Sequence, residues 1–546
     1  MNFLKRSIVK SNIFLIAALL AAAVYFPALH GEFQFDDYLS IAENPSIKNP
    51  SELLSYSTVR SVFSGGRPLT LLTFALNYAI GGLAAEGYHI LNLLAHLAVS
   101  TAVFFFVLHM IYASSPGGDN AKGKALLVAA IFALHPVQTG AVSYIVQRAE
   151  VFAALFYLLT LYCLIQYLRT SGRISAVYWA TAMVLFLAGI GFKEIVVTVP
   201  VMFFAHTIFF EDRARIRKAA FGISPLLLAG VIITLKIVLS LEGSGHAGFA
   251  IKDMGQPEYF YTQMRVLVTY VRLIFLPVNQ NLDYDYPLNR DLFDLPVTAS
   301  ILFLFIAVIA ALSSLKASGK WKWPLRRAGF GMIWFIVILL PTSSFVPLKD
   351  LIFEHRVYLA LAGIALTVVS LGEVGAAFFF PKTSESSRYL KAVAVLIVML
   401  LAVLTYERNR VWESKPALWQ DVVAKSPANP RAHYNLGVIL QDRGEYAAAL
   451  DRYLEAIRLN PGYRDAYTNL GTAYVRLGMR DKGIAAFRAA GQLSSGDKLA
   501  RFNLGVTYLD ENMYDDAKSE FEAVLALDPN MAQARQFLDY LSHKQH

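Results

Sequence analysis

From residue 11 to residue 407 long apolar runs alternate with short polar segments rich in Lys and Arg, and beyond 408 the chain changes to shorter amphipathic stretches of helical period. A run near ~20 residues with few charges is the length at which a helix crosses a hydrocarbon core. The pattern predicts about eleven spans, at roughly 11–29, 88–113, 124–141, 148–169, 175–191, 194–210, 219–241, 296–315, 328–346, 356–378 and 391–407. Two further apolar segments are assigned otherwise. Tyr259 to Pro277 is expected as a re-entrant or interfacial helix, because a crossing there would move the Lys316 to Arg327 cluster to the other side. Pro68 to Ile80 is expected to run along the outer surface after Arg67.

Charge sets the orientation. With the N-terminus inside, the even-numbered connections hold Lys122 and Lys124; Arg169 and Arg173; Arg213, Arg215, Arg217 and Lys218; Lys316, Lys320, Lys322, Arg326 and Arg327; and Lys382, Arg388 and Lys391. That is the positive-inside pattern. Lys5, Arg6 and Lys10 before the first apolar stretch also fit a secretory signal cleaved between Ala21 and Ala28, but a retained anchor is favoured because the next loop is short and more spans follow. An odd number of spans puts the C-terminal part outside, in the periplasm or an equivalent lumen. The expected organisation is a membrane domain over 1–407 with outer loops 30–87 and 242–295, a connecting helix over 408–426, and a soluble array over 427–546.

The array repeats. Asn435-Leu436-Gly437, Asn469-Leu470-Gly471 and Asn503-Leu504-Gly505 recur every 34 residues, and Pro427, Pro461 and Pro529 keep the same step with Ser495 filling the missing third slot. Tyr453, Phe487 and Phe521 keep the same step, and Trp419 precedes them by 34. Glycine where helices approach, alanine at Ala449 and Ala517 and an aromatic at a fixed slot resemble the tetratricopeptide helix-turn-helix, whose stacked units bury a shared core. The expected repeats are 427–460, 461–494 and 495–528, closed by a capping helix. Their concave surface either receives a protein or peptide partner, which is favoured, or caps the membrane domain.

Composition narrows the rest. The chain has 546 residues, 56% hydrophobic and 16% charged, with a mean hydropathy of +0.46, too apolar for a soluble protein of several domains. Cys163 is the single cysteine, so no internal disulfide forms. The net charge of +9 is spread over connections between spans, which encodes topology and argues against nucleic acid as a partner.

Candidate chemistry gathers on the expected outer side. Asp36 and Asp37 follow the first span; two adjacent carboxylates either raise one pKa and supply a base for an acceptor hydroxyl, or cap a helix or loop. Arg148 and Glu150, with His135 in the preceding His135-Pro136-Val137-Gln138-Thr139, either hold and orient a phosphate or form an interfacial ion pair. Lys193-Glu194 carries the same alternatives. Lys349-Asp350 and Glu354-His355-Arg356 offer a guanidinium to a lipid phosphate. His89, Asn92 and His96 form one stripe of a span, for which bundle-internal hydrogen bonding is favoured over metal binding. Asp283 and Asp285 lie in an acidic aromatic loop, read as a surface turn ahead of a sugar or cation contact. No phosphate-cradling glycine loop, hydrolase elbow or zinc motif is present. Asp36 and Asp37 lack the spacing of an Asp-x-Asp site, so no metal is assigned and the need for a divalent ion stays open.

Phe35-Asp36-Asp37, Arg67-Pro68-Leu69-Thr70, Gly87-Tyr88-His89 with Asn92 and His96, the His135 to Thr139 segment, Arg148-Ala149-Glu150, Lys193-Glu194, Glu354 with Arg356, and the closing repeats together resemble the transmembrane and tetratricopeptide-repeat O-mannosyltransferases and their bacterial relatives, of the GT-C glycosyltransferase superfamily. The resemblance covers nearly the whole chain. It implies an all-α fold, a polytopic GT-C-like helix bundle followed by a tetratricopeptide α-solenoid. It also implies inverting transfer of a sugar from a polyprenyl-phosphate carrier to a hydroxyl acceptor at the outer face of the inner membrane. Asp36 or Asp37 would be the base and Arg148 and Arg356 phosphate binders, with His89, His135, Glu150, Lys193, Glu194 and Glu354 around the substrate. The rival expectation is a non-catalytic membrane scaffold whose repeats assemble an envelope complex; a transporter is weaker, because the charges sit at span ends rather than at the midplane.

Overall fold

The computed structural model describes residues 19–49, 62, 66–114, 120–240, 248, 251, 254–380, 383–494 and 496–544. Lys5, Arg6, Lys10, Lys382, Ser495, residues 11–18 of the first expected span and parts of both expected outer loops lie outside them. The regular elements are helical. The chain divides into two compact units, Met1–Leu282 with Tyr286–Ser414, and Asp283–Asp285 with Lys415–His546.

In the first unit, seven described helices are long and apolar enough to cross a membrane, and eight if one bent pair counts as a single span. They are Ala85–Ser114, Ile145–Arg169, Gly172–Phe192, Arg213–Ser240, Leu295–Lys316, Ala360–Phe379 and Arg388–Val411. About eleven were expected, of which the first, 11–29, lies partly outside the described residues; seven or eight stand among the described ones. The run expected at 124–141 breaks into Ala121–Leu134 and Pro136–Val142, bent by 51°, because His135 precedes a proline and adopts the extended φ −82°, ψ 130°. The run expected at 194–210 opens as the 3₁₀ turn Glu194–Thr198 and continues only as the short helix Val199–Phe210. The one expected at 328–346 is the helix Lys322–Leu339, which carries three charges in its first turns and stops before Pro341. Gln256–Phe275, expected as interfacial, is not among the seven and carries Glu258, Arg265 and Arg272.

Two antiparallel pairs dominate the bundle: Arg148–Arg169 with Gly172–Phe192, and Lys322–Leu339 with Ala360–Phe379. In the second pair Gly331 and Gly363 face each other, and a Cβ on either would overlap the other's carbonyl oxygen. Small residues at such a crossing let backbones approach closely, which supplies packing where lipid offers no hydrophobic drive. The window of Arg388–Val411 is only 11% buried, leaving Val395 and Leu396 on an apolar exterior that suits lipid.

The second unit is a stack of helical hairpins, Pro430–Asp442 with Tyr446–Leu459, Arg464–Arg476 with Arg480–Leu493, and Lys498–Asp510 with Tyr514–Leu527, preceded by Lys415–Lys425 and closed by Ala532–Lys544. A Cβ on Gly437, Gly471 or Gly505 would come 2.6, 2.6 and 2.9 Å from the rings of Tyr453, Phe487 and Phe521. That contact is the reason for the paired glycine and aromatic periodicity. The hairpin turns use left-handed backbone at Gly444, Gly478 and Asn512, again 34 apart. Asp283, read from sequence as a surface turn, is buried in this unit and gripped through both oxygens by Arg431 at 2.7 and 2.6 Å.

Candidate functional site

The turn that carries the adjacent carboxylates is strained. Phe35 sits at φ 44°, a conformation bulky residues rarely adopt. The two aspartates it presents have different surroundings. Asp37 is fully buried; its Oδ2 accepts the Gln34 amide at 2.9 Å and its Oδ1 the Val146 amide at 2.7 Å. Burial pushes its pKa up to about 7 against the lowering effect of those two amides. Asp36 is half-exposed, and its backbone amide donates to the Tyr144 hydroxyl at 3.0 Å.

The first turn of the next helix continues the site. Arg148 is completely buried, and four of its N–H groups have partners: Asn92 Oδ1 at 2.7 Å, Asn77 Oδ1 at 2.7 Å, Thr73 O at 3.1 Å and Tyr88 O at 2.9 Å. Its guanidinium lies 4.7 Å from the Phe74 ring centre. This geometry makes Arg148 a post between helices, where the sequence suggested a phosphate ligand. Asn92, which also donates to Val142 O and Ile145 O at 3.2 Å, is its main support.

Two residues on, Glu150 forms a buried ion pair with Lys193 at 2.6 Å. Glu150, Lys193, Glu194, Thr342 and Arg356 line one small cleft with Ile195, Ile338 and Pro341. Arg67 reaches Glu194 at 3.3 Å, and its Nε is buried with no partner among the described residues. Arg356 is held by the carbonyls of Asp350 and Leu351 at 2.9 and 3.2 Å and lies over Phe353. His355 beside it is kept neutral: burial holds its pKa well below the usual range, and Lys193, Arg356 and Arg67 add to that. Three cations thus stand against two carboxylates, a local excess of positive charge.

The remaining sequence candidates are each held by hydrogen bonds within the fold. Glu354 is buried and accepts the Asn281 amide at 2.6 Å. His135 uses both ring nitrogens, on Ile274 O at 2.8 Å and the Val137 amide at 3.1 Å. His89 bonds Gly31 O at 3.1 Å, and His96 bonds the Tyr358 hydroxyl and Ala133 O at 2.8 and 3.1 Å. Among the described residues no three His, Cys, Asp or Glu side chains gather to hold a metal ion. Sequence reasoning did not single out Arg67 or Tyr144 as site residues. Arg67 has a signal in its place before Pro68 at a helix start; Tyr144 has none, since one tyrosine in an apolar segment looks like packing.

In the repeat unit a groove of about 310 Å³ is lined by Tyr434, Arg464, Asp465, Asn469, Asp497 and Lys498 among others. Arg464 pairs there with Asp465 at 2.5 Å and Asp497 at 3.4 Å.

Comparison with known proteins agrees with both units. A TPR repeat model matches residues 439–478, and a tetratricopeptide repeat model matches 465–495 and 500–531. The chain is 26% identical over 471 residues to a protein O-mannosyl-transferase of Caenorhabditis elegans, covering 82% of this chain and 63% of that one. It is 26% identical over 499 residues to the protein O-mannosyl-transferase TMTC4 of Homo sapiens, covering 80% and 65%. To TMTC1 of Homo sapiens it is 25% identical over 517 residues, covering 82% and 56%. The chain therefore spans about three fifths of the length of these relatives. The resemblance to transmembrane and tetratricopeptide-repeat O-mannosyltransferases holds, at about a quarter identity over four fifths of the chain.

Proposed function

We propose, from this distant homology to protein O-mannosyl-transferases, that the chain is a membrane glycosyltransferase moving a sugar from a polyprenyl-phosphate carrier to a hydroxyl of a protein or envelope glycan. The observation that carries the proposal is the division of labour between the two aspartates. Asp37 spends both oxygens on backbone amides, while Asp36 stays half-exposed at the same turn. Asp36 is then the general base, and the strained, anchored turn is what a preorganised base requires.

In this reading the Asp36 carboxylate takes the proton of the acceptor hydroxyl as that oxygen attacks the anomeric carbon of the sugar. The bond from this carbon to the carrier's phosphate oxygen breaks, and its electron pair leaves with the lipid phosphate. A single displacement inverts the anomeric centre. Arg356 and Lys193 in the cleft, with Arg67 beside it, stabilise the departing phosphate. Asp37 and Glu150 are tied to the two ends of one short stretch, Val146 to Glu150, about 6–8 Å of helical rise. By the charge of the connections, the site faces the periplasm from the inner membrane, with the N-terminus cytoplasmic. The repeats are assigned to a protein or peptide partner, consistent with their groove.

Purified protein in lipid nanodiscs, given tritiated polyprenyl-phosphate mannose, is expected to release lipid phosphate, and Arg356→Ala should raise the donor KM. Full cellular function after neutralising Asp36, lost only on deleting residues 427–546, would instead support the scaffold.

A further inference from the structure

Tyr144 lies in the bend between Val142 and the helix at Ile145, two residues before the amide that holds Asp37. Its ring is buried and stacks on Trp412, with centroids 5.7 Å apart and planes inclined by 28°. The neighbouring Ser143 donates to Asn409 Oδ1 at 2.6 Å, and Asn409 in turn donates to Val24 O at 2.8 Å. Trp412 is itself bonded through its amide to Asn409 O at 3.0 Å. Two successive residues of the bend are therefore tied to the same helix end, and the Tyr144 ring has one place to be.

A phenol carries one proton and can accept as well. The Tyr144 oxygen accepts the Asp36 amide at 3.0 Å, which leaves the hydroxyl's own proton to give. We infer that Tyr144 is a positioning residue for Asp36: its hydroxyl, fixed on the Asp36 amide, gives its remaining proton to the carboxylate of the same residue, setting the direction of the base and holding it ionised. The inference rests on Asp36 being the base in the proposed reaction. Burial, with the charges of Asp36 and Asp37, pushes the Tyr144 pKa well above the usual phenol range. It remains a donor and does not itself take the acceptor's proton. Among the titratable groups near Asp36 are Asp37 on its own turn and Tyr144 in the bend, with Arg148 acting on Asp37. A hydrogen bond donated to an anion favours the ionised form.

Removing the hydroxyl while keeping the ring separates positioning from packing. Tyr144→Phe preserves the stack on Trp412, so the fold should hold. The acid limb of the pH profile for cleavage of tritiated polyprenyl-phosphate mannose should move up by about one unit, with donor KM unchanged. Infrared difference spectra between the wild type and Asp36→Asn report the same carboxylate titration without any substrate, and should move in parallel. Difluorotyrosine at 144 is nearly isosteric, a stronger donor, and should move both in the opposite direction. An inactive Asp36→Asn together with unmoved profiles in Tyr144→Phe, or in the fluorinated protein if Tyr144→Phe does not fold, overturns the inference and leaves the transferase reading intact. A fully active Asp36→Asn overturns both.

Discussion

Glu150 and Lys193 meet at 2.6 Å with only 2% and 6% of their side chains exposed, joining the start of one membrane helix to the end of the next. A buried pair of this kind costs most when one partner is left alone. Glu150→Gln or Lys193→Met alone is expected to cost about 3–5 kcal/mol of stability. The double variant Glu150→Leu with Lys193→Met should recover much of that loss. Unfolding curves of the four proteins in one detergent measure it.

Asp37 gives the fold a pH dependence of defined sign. Its folded pKa is raised to about 7 from 3.8, chiefly by burial, so the folded state binds the proton more tightly than the unfolded chain. The stabilisation this provides is fully present below about pH 4 and is lost as pH rises through 7. Compared with Asp37→Ser, the wild type should lose stability over that window, and proton uptake near pH 7 should vanish in the variant. Thermal unfolding across pH 5–8, together with potentiometric titration, checks both.

Arg148 should behave as a structural residue. Lysine cannot reproduce a guanidinium that meets Asn92, Asn77, Thr73 and Tyr88 at once. Arg148→Lys is expected to lose about 2–4 kcal/mol of stability, while the donor KM of the folded fraction stays at the wild-type value. Kinetics on protein selected for its fold separate the two effects.

How much of this was legible in the sequence depends on the interaction concerned. The repeats were readable because a stacked array imposes one contact, Gly471 against Phe487 and its equivalents, at a fixed step. The apolar runs marked the membrane unit, but hydropathy alone does not register the break that Pro136 forces after His135 or the stop at Pro341. Charged residues near span ends were visible as candidates, yet their roles were not. Arg148 and Arg356 look alike in sequence and both are buried; the place of Arg356 in the lining of a cleft, which Arg148 does not share, separates them. The roles of Asp36 and Asp37 depend on which side chain meets the Val146 amide, a contact across more than a hundred residues.

In the repeats, Gly471→Ala would set a methyl group 2.6 Å from Phe487. Overpacking of this kind costs about 1–3 kcal/mol. The helical signal of the repeat unit should melt earlier on heating, whereas donor cleavage at low temperature should be unaffected.

The most direct measurement is single-turnover cleavage of tritiated polyprenyl-phosphate mannose by Asp36→Asn, with donor binding determined on the same sample. Binding at wild-type affinity with cleavage slowed by roughly 10²–10⁴-fold is the predicted result, the range general-base catalysis supplies. A folded, donor-loaded Asp36→Asn that turns over at the wild-type rate contradicts the account.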